Sequence, residues 1–186
     1  TLEFDLIEAI RALLLPISAF SQSFGGFILV VTLILFMYSF GISAWIIFPL
    51  LSLIWMEGQN ANLALVAQGL PPTNVHTYEV FQMCFIGGQG ATLALCLFMT
   101  FLAKSKRVKT VGRAALIPSI FNINEPIVYG APVAFNPTLM IPFWFAGLAN
   151  CIIVWIAFSS GLCTVPVEPF RMTMPSLLYA PLALKS

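Results

Sequence analysis

The sequence predicts an all-α, polytopic membrane protein built from transmembrane helices, an N-terminal amphipathic helix and one or two re-entrant or broken hairpins. Three observations carry this. Of 186 residues, 60% are apolar and 8% are charged, with a mean hydropathy of +0.97, whereas a soluble domain carries about 25% charged residues. The cations crowd together, with Lys104, Lys106, Arg107, Lys109 and Arg113 following an uncharged run from Val80 to Ala103. One carboxylate, Glu125, stands by itself in the apolar stretch from Ala114 to Phe135. A chain of this length has room for about four or five embedded passes.

Residues 1–16 place Leu6, Ile10, Leu13 and Leu14 on one side of a helical turn and Glu3, Glu8 and Arg11 elsewhere, the pattern of an interfacial helix that Pro16 would end. The acidic start, Thr1 to Asp5, has no signal-peptide character. Residues 24–56 form a charge-free span and hairpin, with Gly41-Ile42-Ser43 marking either its tip or a kink. From Glu57 to His76 the chain is polar and turn-rich, with Pro71-Pro72, and is expected outside the bilayer core. Residues 80–103 form the next span, with Gly87-Gly88-Gln89-Gly90-Ala91-Thr92 at its middle.

Residues 104–113 are expected to be a basic loop, on the cytoplasmic side by the positive-inside rule. Apolar flanks on both sides of that cluster argue against nucleic acid as its partner. Residues 114–137 form a broken hairpin and residues 138–158 a final span that carries Trp144 and Trp155. Residues 164–186 are expected to be a loop, because Pro166, Pro169, Pro175 and Pro181 interrupt any long helix.

Glu125 is the residue around which chemistry is expected. An ionised side chain at membrane depth costs roughly 2.5 kcal/mol or more, so it persists where it faces a cavity and has a task. Asn122 and Asn124 precede it, and Pro126, Gly130 and Pro132 follow, so the helix cannot run through unbroken. Broken backbone with convergent polar groups at that depth points to a solute site. The two amides can bond a solute's hydroxyls or, alternatively, cap the helix ends left open by the break. Glycines in the run 87–92 allow close approach of the backbone to a ligand, or serve as packing notches. Cys84, Cys96, Cys151 and Cys163 lie in or beside apolar runs without metal-ligand spacing, so no metal site and no cofactor is expected. His76, the single histidine, is expected to be an ordinary interfacial residue rather than a catalytic one. Glu57, Glu168 and Arg171 are expected to be solvated.

The run Pro118-Ser119-Ile120-Phe121-Asn122-Ile123-Asn124-Glu125-Pro126-Ile127-Val128-Tyr129-Gly130-Ala131-Pro132 with Asn136-Pro137 resembles the Asn-Glu-Pro signature of the lactose/cellobiose family of EIIC sugar permeases, from the bacterial phosphoenolpyruvate-dependent phosphotransferase system. Gly87-Gly88-Gln89-Gly90-Ala91-Thr92-Leu93 and the basic stretch Ala103-Lys104-Ser105-Lys106 resemble further motifs of that family, in the same order. The likeness covers nearly the whole chain and corresponds to the C-terminal, substrate-binding half of such a permease.

The resemblance implies a multi-pass subunit of the bacterial plasma membrane, embedded in lipid, that translocates a sugar such as a β-linked disaccharide. A partner EIIB component would phosphorylate the sugar from a phosphocysteine, and no cysteine here sits in a comparable anion-binding turn. A homodimer would form through the half not represented. Glu125 is implied as the catalytic carboxylate at the sugar, with Asn122, Asn124, Ser43, Gly88, Gln89, Gly90 and Thr92 as substrate-binding positions.

Two positions depart from the family pattern. Ser43 stands where a histidine is usual, and serine does not titrate near neutral pH. Met172 replaces a tryptophan that could stack on a sugar ring, leaving Trp45 and Tyr129 as aromatic candidates. Two alternatives fit the same residues: a degenerate or truncated paralogue without transport, and an ion-coupled carrier that uses Glu125.

Overall fold

Charge-free helices with glycine and proline at their ends set the frame of the molecule. A computed structural model describes residues 16–168 and 174–184, and every regular element among them is helical. The interfacial helix expected over residues 1–16 lies outside this region except for Pro16, as do Arg171 and Met172. Pro16 itself belongs to a helical turn, 16–21, instead of closing one.

Helix α1 spans Phe24–Ser39; the Ser23 hydroxyl caps it by accepting from the Gly26 amide at 3.1 Å. Gly41, at φ +75°, gives the chain its left-handed exit. A 3₁₀ turn over Ala44–Ile46 leads to α2, Phe48–Ala67, with Pro49 in its first turn. The polar connection expected to begin at Glu57 therefore begins at Gln68. Glu57, Gln59, Ala61, Leu63, Ala64, Leu65 and Ala67 favour helix and carry α2 onward through Gly58, Asn60 and Asn62. Asn62 then folds the shortened connection back on the helix, its Oδ1 accepting from the amides of Thr73 at 3.1 Å and Asn74 at 2.9 Å.

Helix α3 covers Tyr78–Met83, and α4, Leu93–Leu97, runs into a π-helical turn over Phe98–Leu102. The span expected over residues 80–103 is thus interrupted by the glycine motif, whose Gly87, Gly88 and Gly90 have φ of +85°, +97° and +74°. The basic stretch is also a correction. Residues from Lys106 onward form α5, Lys106–Ile120, because Lys and Arg favour helix and because Gly112 lets this helix lie against the backbone of Met99 and Thr100. Helix α6 is a short piece, Glu125–Gly130, and α7 spans Pro137–Ser159 with Asn136 capping the Thr138 amide at 3.2 Å. The C-terminal segment expected as a loop contains α8, Ser176–Ala183, which follows Pro175 and tolerates Pro181 within it.

Helices α1 and α7 pack side by side. Gly147 of α7 leaves room for the Leu35 side chain, and the Trp144 indole donates to the Ser39 hydroxyl at 2.7 Å. Phe27, Val31, Ile34 and Leu35 of α1 join Trp55, Phe81, Phe85 and Phe143 in the main core. A second cluster, including Cys96, Met99, Ala115 and Ile127, fixes α5 and α6 to the π-helical turn. Helix α7, at 23 residues, is the one described helix long and apolar enough to cross a membrane. Its outward Phe145 and Ile153 are 72% and 64% exposed. Helices that are apolar all round and bare on their outer side match a lipid surround, because water would penalise that surface.

Candidate functional site

Two chain breaks meet at Glu125. The first lies between α1 and α2, where the Ser43 hydroxyl accepts from the Trp45 amide at 3.4 Å and opens the 3₁₀ turn. The second lies between α5 and α6, where Asn122 sits at φ +62°, a left-handed conformation that asparagine tolerates better than most residues. The two turns face each other across a chamber of about 760 Å³, within the size range of pockets for small organic ligands.

Glu125 is half-buried in the chamber wall. Its Oε1 accepts from the Tyr38 hydroxyl at 3.0 Å and from the Trp45 indole at 3.2 Å. Both donors are neutral and both converge on one oxygen, which leaves Oε2 for whatever occupies the chamber. Among the described residues no cation pairs with this carboxylate. Such an arrangement fixes the rotamer of the acid.

The glycine motif forms the wall beside it. Asn122 Oδ1 accepts from the amides of Gly87 at 2.8 Å and Gly88 at 3.2 Å, and Asn124 donates its amide nitrogen to the Gln89 carbonyl. Gly88 lies directly against the Asn124 side chain, so a Cβ there would collide with it. Gly90 likewise makes way for the Phe143 ring, and the Thr92 hydroxyl donates to the Gly87 carbonyl at 2.8 Å. The two sequence motifs, some 35 residues apart, are one structural unit. Their asparagines do not cap helix ends; they satisfy the amides and carbonyl of a loop that has no regular partner.

Of the positions expected at the ligand, Glu125, Asn122 and Gln89 line the chamber. Asn124 is 1% exposed and its amide is used on Gln89. Gly88, Gly90 and Thr92 shape the wall from behind, and Ser43 caps its turn while its neighbours Ala44 and Trp45 line the space. The Gln89 side-chain oxygen is buried with no partner, a spare acceptor beside the chamber.

Trp45 supplies an exposed aromatic face, whereas Tyr129 stacks on Tyr38 at 6.4 Å and 12° instead of lining the space. Tyr38, Phe48 and Gln82 are among the chamber residues that sequence reasoning missed. The available signal for Tyr38 was a phenol in an otherwise charge-free span, three residues before the Gly41-Ile42-Ser43 break.

His76 is not at the protein surface. It is fully buried in the connection between α2 and α3, away from the chamber, with Nδ1 donating to the Ser21 carbonyl at 2.9 Å and its ring edge-on to Phe27. Burial pushes its pKa down to about 4, against the smaller opposing pull of the Ser21 carbonyl. Glu57 and Glu168 are exposed as expected. Cys84, Cys96 and Cys151 are buried and Cys163 half-buried, and no group of possible metal ligands occurs among the described residues.

Residues 4–147 match the protein family described as "Phosphotransferase system, EIIC". The chain is 37% identical over 171 residues to the "PTS system cellobiose-specific EIIC component" of Geobacillus stearothermophilus, covering 88% of this chain and 38% of that protein. It is 34% identical over 185 residues to the "Lichenan permease IIC component" of Bacillus subtilis, covering 97% and 41%. Its fold is similar to the crystal structure of the transporter ChbC, the IIC component from the N,N'-diacetylchitobiose-specific phosphotransferase system, with a TM-score of 0.83 at 32% identity over 91% of this chain and 40% of that one. The chain thus spans about two fifths of the length of these relatives.

Proposed function

The chain belongs to the EIIC family of the phosphotransferase system, and from that membership we propose that it is the substrate-binding part of a permease for a β-linked disaccharide. As an EIIC component it is integral to the bacterial membrane. We place it there as a multi-pass protein, with the basic start of α5 on the cytoplasmic side. On this reading residues 1–186 correspond to the C-terminal half of the permease.

The observation that supports the reading most is the double anchoring of one Glu125 oxygen at the wall of a ligand-sized chamber. A sugar hydroxyl placed against Oε2 would donate to it. As that hydroxyl attacks the phosphorus of a phosphocysteine on the partner EIIB, a new O–P bond forms, the S–P bond breaks, and the hydroxyl proton passes to the carboxylate. Positioning and proton removal are the contributions left to this chain, since phosphoryl transfer relies chiefly on alignment and charge stabilisation. The Asn122 amide nitrogen, its oxygen being taken by Gly87 and Gly88, can donate to a neighbouring hydroxyl, and Trp45 can lie against a sugar ring. The phosphoryl donor belongs to another component, because the described cysteines are buried or half-buried within apolar packing.

Equilibrium titration of cellobiose into the purified complete permease tests the proposal. Glu125→Gln should weaken binding by about tenfold or more, the scale of one hydrogen bond to a charged group, and should abolish EIIB-dependent phosphorylation. Absence of binding by the native protein, or equal binding and phosphorylation by the variant, would overturn it.

A further inference from the structure

Gln82 of α3 lines the chamber, and its side chain is tied at one end only. The amide nitrogen donates to the Tyr78 hydroxyl one helical turn away, so the donor end of the carboxamide is committed. The other end, Oε1, makes no hydrogen bond among the described residues and, unlike the Gln89 oxygen, is not closed off from the chamber. Building on the sugar-site reading of the chamber, we propose that Gln82 Oε1 accepts from a hydroxyl of the second ring of the disaccharide, the ring that is not phosphorylated, and that Tyr78 is the positioning residue that aims it.

A glutamine can turn either its oxygen or its nitrogen to a ligand, and here the phenol behind it decides. Glu79, buried at the same turn, lies close enough for its charge to act on the Tyr78 hydroxyl. A neighbouring carboxylate draws a phenol's proton toward itself, which leaves the phenol oxygen to accept from Gln82. The Tyr78 ring is in turn held edge-on to Trp55 at 5.3 Å and to Phe48 at 6.2 Å, so the hydroxyl that fixes Gln82 is itself fixed. Location then separates Gln82 from the reacting carboxylate. Glu125 is bonded to the Trp45 indole, Trp45 packs on Phe48 at 4.7 Å, and Phe48 leads on to Tyr78. Two aromatic side chains of the chamber wall thus lie along the path from Glu125 to Gln82, and no hydrogen bond joins the two polar groups. Apolar faces with a polar anchor toward each end are the usual build of a small-molecule site. A neutral amide oxygen takes no proton at working pH, so its contribution is recognition: it favours a solute that carries a hydrogen-bond donor at that place.

Steady-state kinetics of EIIB-dependent cellobiose phosphorylation by the complete permease test this. Gln82→Leu should raise KM about tenfold while leaving kcat within about twofold, the pattern of a lost contact that the ground state and the transition state share. Tyr78→Phe keeps the ring and removes the oxygen that aims Gln82, so it should raise KM about threefold to fivefold. Adding it to Gln82→Leu should raise KM no further, because the two residues act through one bond. Retained kcat shows that each variant is folded, and Tyr78→Phe decides by itself if Gln82→Leu does not fold. An unchanged KM, a fall in kcat of tenfold or more in a folded variant, or additive effects in the double variant would overturn the inference. The chamber reading would stand in each of these cases, provided that Glu125→Gln still abolishes phosphorylation. Failure of the native protein to bind cellobiose would overturn both.

Discussion

At Glu125, position is set by neutral donors. Tyr38 and Trp45 both reach Oε1, one from the last turn of α1 and the other from the 3₁₀ turn that follows. Tyr38→Phe removes the shorter bond and leaves the ring in place. It should lower the rate of EIIB-dependent sugar phosphorylation by about tenfold to a hundredfold, in line with roughly 1.5–3 kcal/mol for a hydrogen bond to a charged group. Circular dichroism should stay unchanged, and a rate equal to that of the native protein would show that Tyr38 does not position the carboxylate. The sequence already isolated Glu125, because a carboxylate in a charge-free stretch is conspicuous. It did not identify Tyr38, because an aromatic residue in an apolar helix has the same local pattern whether its hydroxyl meets lipid headgroups or an acid 87 residues away.

Between elements, the principal joint is the pairing of the glycine loop with the turn before α6. Asn122 satisfies two amides of that loop at once. Asn122→Ala would leave both N–H groups without their partner and would lose the residue best suited to φ +62°. The expected cost is about 2–4 kcal/mol, measurable as a lower midpoint of thermal unfolding in detergent, and Asn122→Asp, which keeps the acceptor, should recover part of it. The break around Glu125 and the interruption at Gly41 were legible from glycine and proline alone. The helical state of the basic stretch and of residues 57–67 was not. Polar residues signal exposure, and exposure is as compatible with a solvated helix as with a loop, so packing of Gly112 and the fold-back at Asn62 had to decide.

Across the whole molecule, the buried histidine couples stability to pH. His76 holds a proton below about pH 4 when folded, against an ordinary value of 6.5, so the unfolded chain binds more protons between those limits. The contribution of neutral His76 is complete above pH 6.5 and is lost as pH falls toward 4, by roughly 3 kcal/mol at 1.36 kcal/mol per unit. Melting temperatures in detergent should therefore drop from pH 7 to pH 4.5, and His76→Gln should flatten that slope. A slope unchanged in the variant would remove His76 as its source. The bare faces of α1 and α7 made the bilayer legible from composition, whereas the burial of His76 depends on how α1, α2 and the connection 68–77 close over one another, which no local pattern records.

The lock between Asn122, Asn124 and the glycine loop also bears on how such chains can be recombined. A chimera that imports residues 84–92 from a permease with different loop geometry, while keeping the native 118–126, would inherit a donor set with mismatched acceptors. Transplanting both stretches together would carry a self-consistent cassette. The unit that has to be exchanged intact is therefore a discontinuous pair of segments, and shuffling at crossover points between them should yield mostly misfolded progeny.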